Sequence, residues 1–210
     1  MIITISREFG AAGGEVAKGL AHALGWTLVD NELIDEVAKR VGLAPEEVAE
    51  REERAPSFIE RLTRTLASAM PEFVAPDSGT LPDLAEERLA KVTDTAVSDL
   101  AGHENIVMVG RAAAAVLASR PGALHVKVVA PLAERVTRIS ARFDVDAKEA
   151  EKRVNESDGN RARYHKQYYQ RDWNDASNYH LVVNTGKVGV ERSVDLILNL
   201  VSSLRDQSGQ

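Results

Sequence analysis

The sequence predicts an α/β fold, a five-stranded parallel sheet with helices on both faces. Three observations carry that expectation. Five short, β-branched apolar runs recur along the chain with helical patterns between them. The runs are mostly continuous, as strands buried on both faces are. A cluster of glycines stands between the first run and the first helical pattern, where a strand turns directly into a helix. Strands that alternate with helices imply right-handed βαβ crossovers.

Residues 1–6 (Met-Ile-Ile-Thr-Ile-Ser) read as the first strand, because the run is too short for a signal sequence and no basic segment precedes it. Val16, Leu20 and Leu24 fall four apart and give the first helix one apolar stripe. Residues 26–29, 105–109, 124–129 and 180–183 supply the other four strands. Val190, Val194, Ile197, Leu198, Val201 and Leu204 keep a helical rhythm near the C-terminus, and residues 206–210 read as a frayed tail.

The spacing is uneven. About 75 residues separate the second strand from the third, where a crossover needs about a dozen or more. Residues 32–100 are therefore expected to form a helical insertion, interrupted by a proline-rich loop at 71–82. A second excursion, residues 143–178, precedes the fifth strand and carries Arg153, Arg161, Arg163, Lys166 and Arg171. The expected organisation is one domain over residues 1–205, with a core of 1–31, 101–142 and 179–205.

Lys+Arg number 26 against 32 Asp+Glu, a net charge of −6, which argues against nucleic acid held by bulk positive charge. Anionic ligands must then meet local arginines. The chain has no cysteine, so disulfides and thiolate chemistry are excluded and the cytoplasm is the expected location. No window of about 18 apolar residues suits a membrane helix. The five histidines lack metal-ligand spacing. A homodimer is compatible with the sequence.

The strongest local signal is Ser6-Arg-Glu-Phe-Gly-Ala-Ala-Gly-Gly-Glu15. Glycines at a strand-to-helix turn let consecutive backbone N–H groups point at a phosphate, with the helix N-terminus behind them. The strict G-x-x-x-x-G-K-[ST] pattern is absent, and a simple helix cap is the alternative reading. Arg111 follows the third strand at the carboxyl edge, where open α/β sheets bind ligands. It suits a two-point grip on a phosphate or a structural ion pair. Asp30 ends the second strand as an acceptor-orienting carboxylate or a helix cap. The basic cluster around Arg161 and Arg163 is either a solvated face or a charged lid. Tyr164, Tyr168, Tyr169 and Trp173 interleave with it, which fits lid packing better than a single-strand nucleic-acid surface.

Taken in chain order, Ile3-Thr-Ile-Ser-Arg-Glu-Phe-Gly-Ala-Ala-Gly-Gly-Glu-Val-Ala-Lys18, Leu28-Val-Asp-Asn-Glu-Leu-Ile34, Val107-Met-Val-Gly-Arg111, Arg161-Ala-Arg-Tyr-His-Lys166, Asp172-Trp173 and Tyr179-His-Leu-Val-Val-Asn-Thr185 resemble the cytidylate kinase-like family. That family is a branch of the P-loop nucleoside monophosphate kinases. The resemblance implies a P-loop kinase core, a monophosphate-binding insertion and an arginine-bearing lid. It implies transfer of a phosphoryl group from ATP, used with Mg2+, to a nucleoside monophosphate such as CMP or dCMP. Gly10, Ala11, Ala12, Gly13, Gly14 and Glu15 would cradle ATP, Asp30 and Arg111 would hold the acceptor, and Arg161 and Arg163 would close over the transferring group. Against the family's loop, Arg7 stands in the place of the first glycine, Gly13 in that of the lysine and Glu15 in that of the hydroxyl residue. Arg7 is therefore the candidate for the missing charge. A different phosphate acceptor, or a catalytically inactive nucleotide sensor or partner-binding protein, is the alternative.

Overall fold

The computed structural model describes residues 1–30, 97–98, 102, 105–110 and 112–208. Apart from residues 97–98, which are helical, the expected insertion at 32–100 lies outside the described residues, as does Arg111. The chain forms two compact units, Met1–Leu28 with Glu104–Gln210, and Val29–His103.

Five strands form one sheet: β1 (Ile2–Arg7), β2 (Thr27–Val29), β3 (Ile106–Val109), β4 (Ala123–Val129) and β5 (Leu181–Asn184). Their spatial order is β2-β3-β1-β4-β5. β1 lies parallel to β3 with Ile2 opposite Ile106, and parallel to β4 with Ser6 opposite Lys127. β4 pairs with β5 in parallel, Val129 opposite Asn184. All five runs expected from the sequence are strands, with ends shifted by about a residue. The five-stranded parallel α/β class is the one expected.

One sheet face is apolar. Ile3, Ile5, Val107, Val109, Leu124, Val126 and Val128 pack against α1 (Gly13–Leu24) and the C-terminal helix, through Val16, Leu20, Ile197 and Val201. The periodicity of Val16, Leu20 and Leu24 is thus spent on the sheet. α1 ends at Gly25, whose positive φ of 64° lets its N–H return to the Ala21 and His22 carbonyls.

The other face is polar yet buried, which the apolar runs alone did not separate from the first. Side chains alternate across a strand, so Thr4, Ser6, His125 and Lys127 share this side. Thr4 Oγ1 lies 2.8 Å from His125 Nδ1. Trp173 Nε1 donates to Ser6 Oγ at 2.8 Å. Lys127, only 3% exposed, donates to the Trp173 carbonyl at 2.7 Å and to Asn174 Oδ1 at 2.9 Å, its ammonium 4.1 Å from the Trp173 ring centre. Burial lowers the Lys127 pKa, and the carboxylates of Glu8, Asp158 and Asp172 work against that shift. A desolvated ammonium needs such partners, so Lys127 fastens the 173–174 segment to β4.

A short helix, α2 (Ala113–Val116), follows β3, and α3 (Leu132–Phe143) follows β4. The excursion at 143–178 is mostly one helix, α4 (Ala147–Tyr169), then a 3-10 turn at Ala176–Asn178. Asp146 caps α4 by accepting from the Glu149 amide at 2.8 Å, the Asp-x-x-Glu arrangement of a capping box. After β5 come α5 (Thr185–Val188) and α6 (Val190–Ser208), the C-terminal helix. No helix among the described residues is long and apolar enough to cross a membrane.

Two buried histidines make the polar face sensitive to acid. Burial, then the neighbouring His180, lowers the His125 pKa to about 4. Burial, then Lys127 and Arg171, lowers that of His165 to about 4. Both folded values lie below the unfolded value of 6.5, so between about pH 6.5 and 4 the unfolded chain binds more protons. Neutral His125 and His165 therefore stabilise the fold fully above pH 6.5, and each loses roughly 1–3 kcal/mol of that contribution as pH falls through the window. The urea midpoint should drop between pH 6.5 and 4, and His165→Phe should flatten part of the drop. A wild-type midpoint constant over that range would refute the argument.

Candidate phosphate-binding site

The glycine-rich turn joins β1 to α1, and two of its residues have positive φ: Gly10 at 81° and Ala12 at 59°, the N-cap of α1. Ala12 offers no side-chain cap, so the helix start is left to whatever the backbone amides meet.

Every carbonyl of the turn is held. The Glu8 carbonyl accepts from the Ala11 amide at 3.2 Å and the Ala12 carbonyl from the Val16 amide at 3.1 Å. Between them, the Phe9 carbonyl accepts from Arg135 Nη1 at 3.4 Å, that of Gly10 from Arg138 Nη1 at 3.1 Å, and that of Ala11 from Thr185 Oγ1 at 2.8 Å. The amides fare differently. Glu8 donates to the Val128 carbonyl and Phe9 to Asp158 Oδ1, whereas the amides of Gly10, Ala12, Gly13, Gly14 and Glu15 have no acceptor among the described residues. Consecutive N–H groups over a helix N-terminus form an anion cradle.

Packing fixes where the turn needs glycine. A Cβ on Gly10 would lie 2.9 Å from the Arg135 carbonyl and 3.1 Å from Ile139 Cγ1. A Cβ on Gly13 would lie 2.5 Å from Arg7 Cβ, and one on Gly110 would fall on the Arg7 guanidinium. The Arg7 side chain thus runs from the start of α1 to the carboxyl end of β3. Gly14 has nothing within 4 Å of an added Cβ.

Four arginines lie around the turn. Arg135 donates through Nε to the Ala130 carbonyl at 3.0 Å, lies 3.4 Å from Glu8 Oε2, and donates through Nη1 to Asp158 Oδ2. Arg138 reaches Glu134 at 3.5 Å. Arg161 donates to Asp158 Oδ1 at 2.8 Å, with its guanidinium 5.8 Å from the Phe9 ring centre. Burial lowers the Arg161 pKa, and Asp158 opposes the shift. Arg7 is the fourth.

Of the residues singled out in the sequence, Gly10 to Glu15, Arg7 and Arg161 come together. Arg163 is exposed on α4 and makes no hydrogen bond or ion pair among the described residues. Asp30 is half-buried directly after β2 and belongs to the second unit. Trp173 and the histidines at 125 and 165 are packing elements of the polar face. Sequence reading missed Glu8, Arg135, Arg138, Asp158 and Thr185. The available signal was Arg135 and Arg138, three apart on a helix directly after a strand.

Among the described residues no three His, Asp or Glu side chains gather to hold a metal ion. Glu15 is an exposed carboxylate at the cradle's rim.

A parallel sheet ordered 2-3-1-4-5 with an amide cradle between β1 and α1 is the architecture of P-loop kinases. The chain belongs to the cytidylate kinase-like family, whose family model matches residues 2–187. A cytidylate kinase of Natronomonas pharaonis is 28% identical over 214 residues, covering 100% of this chain and 95% of its own. A 94-residue stretch is 37% identical to a uronate isomerase of Corynebacterium glutamicum, covering 44% of this chain and 18% of that one. Among solved structures, an uncharacterized protein from Eubacterium ventriosum superposes with a TM-score of 0.70 at 25% identity, covering 97% of this chain and 99% of its own. Shikimate kinase from Bacteroides thetaiotaomicron shares the fold at a TM-score of 0.53 and 13% identity, covering 96% and 98%.

Thr185→Val keeps the shape but removes the hydroxyl that draws the Ala11 carbonyl inward. An unsatisfied carbonyl costs about 1–3 kcal/mol, so the variant should be less stable by that scale. Its urea midpoint should fall accordingly, and an unchanged midpoint would show that the turn does not depend on Thr185.

Proposed function

We propose that the protein transfers the γ-phosphoryl group of ATP to the phosphate of a nucleoside monophosphate, with CMP or dCMP the first acceptors to test. The observation that supports this most is the cradle itself: five amides without an acceptor among the described residues, at a strand-to-helix turn whose carbonyls are all hydrogen-bonded. Membership of the cytidylate kinase-like family and likeness to the cytidylate kinase of Natronomonas pharaonis support the reaction class. The lack of cysteine fits a cytoplasmic location.

In the reaction, an oxygen of the acceptor phosphate attacks the γ-phosphorus, the bond to the β-bridging oxygen breaks, and ADP leaves with the electron pair. Catalysis is positioning and charge stabilisation. The amides of Gly10, Ala12, Gly13, Gly14 and Glu15 hold the donor's phosphates, which carry Mg2+ as substrate, while that of Ala11 stays bonded to the Glu8 carbonyl. Arg7, whose side chain spans from Gly13 to Gly110, offers positive charge in place of the family's loop lysine. Arg161 meets the transferring group from α4, whereas Arg163, two residues on and exposed, points away from it. Asp30 and Arg111 serve the acceptor, the first through its hydroxyls and the second through its phosphate.

Glycine at position 13 favours a second reading, a nucleotide-binding protein without turnover. Nucleotide affinity and ADP release measured separately distinguish the two, over a panel of monophosphates. Binding without ADP release from any acceptor would establish the second reading.

Arg161→Ala should lower kcat by about a hundredfold, the scale of a lost transition-state contact, and Arg161→Lys should restore it only in part. Arg111→Ala should instead raise the KM for the monophosphate about tenfold, since a charge-assisted hydrogen bond is worth about 1.5–3 kcal/mol. A wild-type kcat in Arg161→Ala would remove Arg161 from the reaction. Unchanged monophosphate kinetics in Arg111→Ala would reassign Arg111 to structure.

A further inference from the structure

Asp158 sits midway along α4, with its side chain 18% exposed. Its two oxygens receive three N–H groups: the Phe9 amide at 2.9 Å and Arg161 at 2.8 Å on Oδ1, and Arg135 on Oδ2. The Phe9 amide belongs to the phosphate-binding turn, and the Arg161 guanidinium lies 5.8 Å from the Phe9 ring centre. A carboxylate that gathers a backbone amide of the turn and two flanking arginines makes the contacts a phosphate oxygen would make there. Glu8 supplies Arg135 with a second anion, so Arg135 keeps a counter-charge if Asp158 withdraws. Among the described residues, Arg161 has Asp158 as its only ion-pair partner.

Resting on the reading of the turn as an ATP site, we propose that Asp158 is a placeholder for the phosphate chain: it holds the Phe9 amide and Arg161 in the nucleotide-free protein, and the incoming phosphates displace it and take Arg161 over. Asp158 is then a positioning residue. It keeps a desolvated arginine paired and beside the turn until there is an anion to receive it, at the expense of ground-state nucleotide affinity. Such a residue couples arrival of the donor to release of Arg161, because each bond it gives up passes to the phosphates.

A placeholder and a purely structural carboxylate predict opposite signs. Asp158→Asn removes the competing charge with little change of shape, so ATP should bind about threefold tighter or more by calorimetry. The gain should vanish in the background of Arg161→Ala, the non-additivity of two groups sharing one partner. A carboxylate that only braces the turn would give weaker ATP binding in both backgrounds, and that result overturns the proposal. If Asp158→Asn does not fold, the wild-type chain decides through its amide resonances. Saturating ATP should shift the Phe9 amide along with those of Gly13 and Gly14, and a Phe9 amide that stays in place while the glycines move refutes the exchange. Inorganic tripolyphosphate serves as a second probe. A wild-type chain that binds neither it nor ATP overturns the ATP-site reading as well, whereas one that binds ATP without the predicted gain sinks the placeholder alone.

Discussion

The site rests on how the carbonyls of residues 8–12 are disposed of. A peptide unit that turns its oxygen inward turns its N–H outward, so fixing the one orients the other. Three of the five oxygens are held by side chains distant in sequence: Arg135 and Arg138 on α3, and Thr185 at the start of α5. Those helices begin directly after β4 and β5, so the register of β4 against β1 and of β5 against β4 decides where the donors stand. The cradle is assembled by the sheet. The turn's own residues, with an αL alanine and no side-chain cap, do not build it alone.

Charge follows the same logic. A chain with net charge −6 gathers arginines around one turn, and Arg135, Arg138 and Arg161 there each lie against a carboxylate: Glu8, Glu134 or Asp158. Paired in this way, the guanidiniums escape the cost of an unpaired buried charge, and the turn keeps cations at hand without an open positive field. Lys127 on the polar face solves the problem differently, resting on carbonyl and amide oxygens and an indole ring. Its partners lie in the segment that follows α4, so the buried ammonium anchors the far end of the excursion carrying Arg161.

The sheet was legible in the sequence because its signal is local: five β-branched runs, each bounded by a turn, mark the five strands. The turn was legible for the same reason, since glycines between a strand and an amphipathic helix need no distant information. The polar face was half legible. In Leu124-His-Val-Lys-Val-Val, every second residue up to Lys127 is polar, yet the run reads as apolar until Thr4 and Ser6 are placed beside it. The long-range contacts of the turn were not legible, because Arg135 meets Asp158 23 residues away and the Phe9 amide meets it 149 away. Composition gives the number of such charges, and only the fold gives their pairing.

The altered loop then has a physical reading that residue-by-residue comparison hides. Relative to the family's loop, an arginine stands for the first glycine and a glycine for the lysine, apparently two independent losses. In the folded chain they are one arrangement. The stem of Arg7 fills the space into which any Cβ at position 13 would project, 2.5 Å from Arg7 Cβ, a separation real side chains do not tolerate. Arg7 therefore requires glycine at 13, and a lysine there requires Arg7 to leave. Gly110 lies at the far end of the same side chain, against the Arg7 guanidinium, and its positive φ of 77° calls for glycine on its own account. On the reading proposed for the turn, the cation stands on the last residue of the strand instead of in the first turn of the helix, and glycine at 13 leaves room for its stem.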